Sequence, residues 1–138
     1  MAQNMPEDIA MNIMIFSKDP KLLKLIQIAE VNEDRNFSVM DDSQDPLDIM
    51  SAICSNNPSL VIIDDDFLKP HSAHVLRSVR KINSKVKIIF VTSDESVELG
   101  REISPLGIHY YGHKPLEERE LRDSIESIIS QKSNISTT

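Results

Sequence analysis

The chain is poor in the residues that build most small binding sites. Its 138 positions hold one cysteine, three glycines, no tryptophan and only 4% aromatic residues. A single thiol rules out a disulfide framework and points to a reducing compartment. Gly100, Gly107 and Gly112 form no phosphate-cradling loop, so the common nucleotide-binding signatures are missing. Scarce aromatics leave no stacking platform for single strands. Basic charge is in deficit, with 15 Lys and Arg against 22 Asp and Glu for a net charge of -7, and no nucleic-acid partner is expected. No run approaches the roughly 20 apolar residues of a membrane span, and the start Met1 to Asp8 lacks the basic and apolar parts of a secretory leader. A cytoplasmic domain with no membrane partner is the expectation.

What the chain does have is an apolar run that stops at carboxylates, Leu60-Val61-Ile62-Ile63-Asp64-Asp65-Asp66. Four large aliphatics in succession read as a strand buried on both faces, the habit of a central strand in a parallel sheet. Two similar runs flank it, residues 12–16 and 86–91, and weaker strands are expected at 36–40 and 108–111. Helical spacing fills the gaps. Asp19-Pro20 and Asp45-Pro46 are cap-plus-proline starts for helices reaching about Val31 and Asn56, the second with Leu47, Ile49, Met50, Ile53 and a buried, inert Cys54 inward. A third helix, opening near Pro70, should bury Val75, Leu76, Val79 and Ile82 and turn Arg77, Arg80 and Lys81 to water. A weakly apolar fourth runs from about Asp94 to Ile103, and a fifth covers about 117–131.

Five strands alternating with five helices imply a three-layer α/β domain, a doubly wound parallel sheet with helices on both faces. One domain is expected over 12–131, with a loose lead-in at 1–11 and a disordered tail at 132–138. Ligands of such sheets collect beyond the carboxyl ends of the strands where strand order reverses. If the first and third strands straddle that point, Ser17, Lys18 and Asp64 share a crevice that Thr92 and Lys114 line from the later strands. His71, His74, His109 and His113 show no metal-ligand spacing.

The strand ends carry a resemblance. Pro58 to Asp64 is similar to the third strand of response-regulator receiver domains, whose terminal Asp accepts a phosphoryl group from a histidine kinase. Thr92 resembles the family's switch hydroxyl, and Gly107 through Tyr111 to Lys114-Pro115 its last-strand signature: a rotating aromatic, a lysine, and a proline after a cis peptide. The resemblance implies a flavodoxin-like strand order 2-1-3-4-5. It also implies a partner surface on the fourth helix, fifth strand and fifth helix, here Val97, Arg101, Tyr110, Arg119 and Arg122.

The departure from the family lies at Ser17-Lys18. Receivers end their first strand with an acidic pair that holds Mg²⁺, although the following Asp19-Pro20 fits the pattern. A carboxylate attacking a phosphoryl group brings like charges together, so a bridging cation is needed, and magnesium wants oxygen ligands. The expected function is a stand-alone signalling domain, not an enzyme and without a cofactor, that binds a histidine kinase, an effector or a second copy of itself and has impaired Mg²⁺-dependent phosphorylation. Lys18 would pair with Asp64 in the ion's place. The alternative is a working phosphorelay receiver, phosphorylated on Asp64, in which Asp65 or another local carboxylate partly rescues the metal. A small-molecule sensor using the crevice is a third reading.

Overall fold

A computed structural model describes residues 11–29 and 35–137, with side chains over 11–27 and 35–130. The elements are β1 (Met11–Phe16), α1 (Pro20–Ala29), β2 (Arg35–Met40), α2 (Pro46–Asn56), β3 (Leu60–Asp64), a helical turn Asp65–Leu68, α3 (Ser72–Ile82), β4 (Lys87–Thr92), α4 (Val97–Ile103), a 3₁₀ turn Ser104–Leu106, β5 (Tyr110–His113) and α5 (Glu118–Thr137). The five strands form one parallel sheet in the order β2-β1-β3-β4-β5. The order reverses between β1 and β3, so the ends of those two strands open onto one crevice.

The period-2 alternation of the strands divides the core. Val61 and Ile63 of β3, with Ile88 and Phe90 of β4, face Ile49, Ile53, Val75, Leu76, Val79 and Ile103 of α2, α3 and α4. Leu60 and Ile62, with Ile13, Ile15, Ile89 and Val91, face Leu22, Ile26, Leu121, Ile125 and Ile128 of α1 and α5. Every residue of β3 is buried, as a central strand requires. The edge strand β2 is buried fully only at Arg35, whose guanidinium pairs with Glu126 of α5 at 2.8 Å.

Tertiary contacts adjust several of the expected elements. Cys54 is exposed, because Ile49 and Ile53 define the inward face of α2 and the next residue turns about 100° away from it. Leu47 at the first turn of that helix and Ile82 at the last turn of α3 are also open, 78% and 53% exposed. The fourth helix begins at Val97 and not at Asp94, since Asp94 accepts the Ser96 N–H in a turn while Ser96 caps the helix through the Leu99 N–H. The last strand starts two residues late, at Tyr110, after Gly107 has turned the chain at φ 79°. Beyond 131, where a disordered tail was expected, the α5 backbone continues to Thr137. The lead-in, apart from Met11, and the end expected for the first helix lie outside the described residues.

Arg80 is a structural cation where a solvated one was expected. Its Nε donates to Leu106 O at 2.8 Å, Nη2 to Gly107 O at 2.7 Å, and Nη1 to Val86 O at 2.6 Å and Ser84 O at 3.4 Å. One planar fork thus joins the end of α3, the entry to β4 and the turn into β5. Each such bond contributes modestly, but leaving the part-buried carbonyls without a donor adds a desolvation cost. Arg80→Ala should lower unfolding stability by about 2 kcal/mol in urea titration, with Arg80→Lys recovering less than half.

Candidate functional site

Asp64 ends β3 and caps the helical turn that follows, accepting the Asp66 N–H at 3.0 Å through Oδ1. The Ser17 hydroxyl, at the end of β1, donates to Oδ2 at 2.6 Å. Lys114 reaches across from beyond β5 and places Nζ 2.9 Å from both oxygens. The same ammonium lies 2.9 Å from Asp19 Oδ2 and 3.1 Å from Asp66 Oδ2. Three carboxylates from two loops therefore converge on one cation. The local sequence makes this possible: Asp19 is anchored as the cap of α1 by the Lys21 N–H at 2.9 Å, and Asp66 is held by the Ser93 hydroxyl at 2.7 Å.

The Asp64 side chain is only 2% exposed, and both of its oxygens carry donors. Above it opens a cleft of about 460 Å³ bordered by Lys18, Asp19, Gln44, Asp66, Phe67 and Lys114. Gln44 ties the wall of this cleft together by donating to Phe67 O at 2.7 Å. Lys18 is exposed and makes no ion pair with Asp64, so the cation expected from β1 is supplied by Lys114. Just past β1, Ser17 is fully buried with its hydroxyl on Asp64, and the next residue is left outside.

Asp65 points away from the crevice. It is 3% exposed and accepts the Ser72 hydroxyl on Oδ1 and the Thr92 hydroxyl on Oδ2, each at 2.7 Å. Thr92 is therefore turned to Asp65 and does not border the cleft that Asp64 does. The Tyr111 ring packs against Phe90 and His113, with centroids 5.2 and 5.4 Å away, and its buried hydroxyl makes no hydrogen bond among the described residues. Burial, then the charges of Asp65 and Asp94, push that phenol above its ordinary pKa. Pro115 follows a cis peptide bond, and so does Pro70. Val97 (61% exposed), Arg101 and Arg119 lie open on the α4 and α5 surface, while Arg122 pairs with Glu118 at 3.3 Å and Tyr110 donates its hydroxyl to Glu120 at 3.0 Å. The Ser72–Asp65–Thr92 link escaped the sequence reading because Ser72 carries no pattern; only the adjacency of β3 and β4 brings the three together.

A divalent ion does not fit this arrangement. The positions where an acidic pair would supply oxygens hold a hydroxyl already donated to Asp64 and an exposed ammonium. The nearby carboxylates converge on Lys114, which would face such an ion as a like charge. Among the described residues no group of three or more His, Cys, Asp or Glu side chains is arranged to hold a metal.

The electrostatics agree with a shared cation. Burial alone would raise the Asp19 and Asp66 carboxyls, but hydrogen bonds win and hold both below the ordinary range, from Lys114 and the Lys21 N–H at Asp19 and from Ser93 and Lys114 at Asp66. Burial would lower Lys114, and its carboxylate partners, Asp64 foremost, hold it above the usual lysine range instead. The carboxylate contribution to stability is complete above an unfolded pKa of about 3.9 and is lost as pH falls through the depressed folded values. The lysine contribution is complete below about 10.4 and is lost as pH rises through its raised value. Lys114→Met should cost about 3 kcal/mol near neutrality, because it strands Asp64 in the interior. In urea unfolding the difference from wild type should shrink as pH falls toward and through the depressed carboxyl values; a difference independent of pH would refute the shared-cation account.

Comparison with known proteins places this geometry. A family model for the response regulator receiver domain matches residues 13–126. The chain is 23% identical over 88 residues to sporulation initiation phosphotransferase F of Bacillus subtilis, covering 64% of this chain and 71% of that protein. Among solved structures it is similar to a CheY-like response regulator receiver domain protein from Methanospirillum hungatei, at 21% identity with a TM-score of 0.75, covering 91% of this chain and 98% of that one. It also resembles a response regulator from Thermotoga maritima, at 17% identity with a TM-score of 0.71, covering 88% and 98%. The sheet order, the aspartate ending β3 and the lysine beyond β5 thus have one explanation: the chain belongs to the response regulator receiver domain family of two-component signalling.

Proposed function

We propose that this receiver domain signals by protein contact, with the phosphoryl chemistry at Asp64 impaired. The observation that carries this reading is the state of Asp64: a nucleophile needs an accessible lone pair, and this carboxylate is 2% exposed, with Ser17, the Asp66 N–H and Lys114 on its oxygens. Attack would also need cation bridging to phosphoryl oxygens, and the cation present is already shared by three carboxylates. On this reading Lys114 is the cation beside Asp64, with Ser17 completing the site. The domain then acts as a stand-alone cytoplasmic signalling module, not as an enzyme.

The contact surface on this reading is the outer side of α4, β5 and α5. Val97 supplies an open apolar centre, and Arg101, Tyr110, Arg119 and Arg122 supply a mixed polar surround. A histidine kinase, a downstream effector or a second copy of the chain is the partner class. A second reading, a phosphorelay receiver that accepts a phosphoryl group on Asp64, is favoured by the similarity to a protein named a phosphotransferase and by the direct Lys114–Asp64 contact at 2.9 Å.

Intact-mass measurement after incubation with a small acyl phosphate and Mg²⁺ separates the two. Wild type should show no phosphoryl adduct, whereas Ser17→Asp/Lys18→Asp, which restores two oxygen ligands, should gain one that Asp64→Asn removes. An Mg²⁺-dependent adduct on wild type, lost in Asp64→Asn, would establish the relay reading.

A further inference from the structure

The structure assigns to Asp65 a positioning role: it is a built-in acceptor that holds the Thr92 hydroxyl and, through it, the segment leading into α4. A threonine hydroxyl has one proton to donate, and here that proton goes to Asp65 Oδ2 at 2.7 Å. It is therefore not available to any group on Asp64, which projects into the crevice while its neighbour Asp65 projects into the interior. The other Asp65 oxygen accepts from Ser72 at the start of α3. With Asp65 3%, Ser72 3% and Thr92 0% exposed, water does not compete for these bonds, and a buried carboxylate left short of donors is costly.

The path continues without a break to α4. The Thr92 oxygen accepts the Asp94 N–H at 2.9 Å, Asp94 accepts the Ser96 N–H at 2.8 Å, and Ser96 caps α4 by accepting the Leu99 N–H at 3.2 Å. The first turn of α4 is thus referenced to an internal carboxylate through four consecutive hydrogen-bonded links. The α4 surface bears Val97 and Arg101, and its first turn is then referenced to Asp65 from within the fold, whereas Ser93 at the entry to the segment is tied separately to Asp66 and through it to the Asp64 site. This goes beyond the impaired chemistry proposed above, and rests on that reading only in taking α4 as part of the contact surface.

Hydrogen exchange read by mass spectrometry tests it on the full chain, with wild type, Asp65→Asn, Thr92→Val, Thr92→Ser, Asp65→Asn/Thr92→Val and Asp64→Asn. Thr92→Val and Asp65→Asn should each speed exchange of the amides between Ser93 and Ile103 by about tenfold, as expected for losing a buried bond to a charged group. The double variant should add little to either single one, Thr92→Ser should keep wild-type protection, and Asp64→Asn, which reaches only the Ser93 end through Asp66, should leave the amides from Ser96 to Ile103 unchanged. The proposal fails if the effects of Asp65→Asn and Thr92→Val add, if Thr92→Ser behaves as Thr92→Val does, or if Asp64→Asn alone loosens the amides from Ser96 to Ile103. Should Asp65→Asn fail to fold, Thr92→Val against Thr92→Ser decides the matter alone. Intact mass after acyl phosphate treatment of the same samples keeps the two proposals apart: an adduct on wild type without a change at 93–103 overturns the impaired chemistry and leaves the Asp65 role standing.

Discussion

One ammonium among three carboxylates organises the upper end of this domain. Lys114 joins the loop after β5 to the end of β3 through Asp64, to the start of α1 through Asp19 and to the following helical turn through Asp66. These segments come from distant parts of the chain, and each brings an acidic side chain to the same few ångströms. Without a cation they would repel, so the loops can be held this closely only because Lys114 is there.

What differs from the family pattern is the Ser17-Lys18 pair, where an acidic pair is usual. An acyl-phosphate site must keep a nucleophile short of partners and supply a cation that can follow the transferred charge. Here Ser17 donates where another acid would compete for an ion, and Asp64 is saturated with donors. The neighbouring pair Asp65 and Thr92 is closed in the same way, with both oxygens of the carboxylate and the hydroxyl proton committed. Two adjacent aspartates, the last residue of β3 and the first of the helical turn, thus point to different partners, one toward Lys114 and one toward Ser72 and Thr92.

Most of the fold was legible because hydrophobic periodicity is local. The run Leu60 to Ile63 announced a strand buried on both faces, and the Asp-Pro pairs at 19–20 and 45–46 announced helix starts that the structure places at Pro20 and Pro46. The misplacements were at ends, where burial and capping outweigh spacing. Leu47, Ile82 and Cys54 keep an apolar character that the helices leave outside, and Arg80, read as solvated, is drawn onto four carbonyls by the turn that Gly107 allows. A periodic pattern assigns a face to a helix, but it carries no information about how far the neighbouring layer extends.

By itself the sequence determined the layered parallel sheet, the strand ends bearing Asp64, Thr92 and Lys114, and the missing acidic pair at Ser17-Lys18, because each depends on side-chain type at local spacing. Tertiary structure decided which cation meets Asp64 and which carboxylate meets Thr92. Lys18 and Lys114 are equally charged and equally long, so their roles differ only through where the turn after β1 and the end of β5 place them. Asp64 and Asp65 differ likewise by place, since the strand ends at the first and the helical turn begins at the second, which sends their carboxylates to different partners.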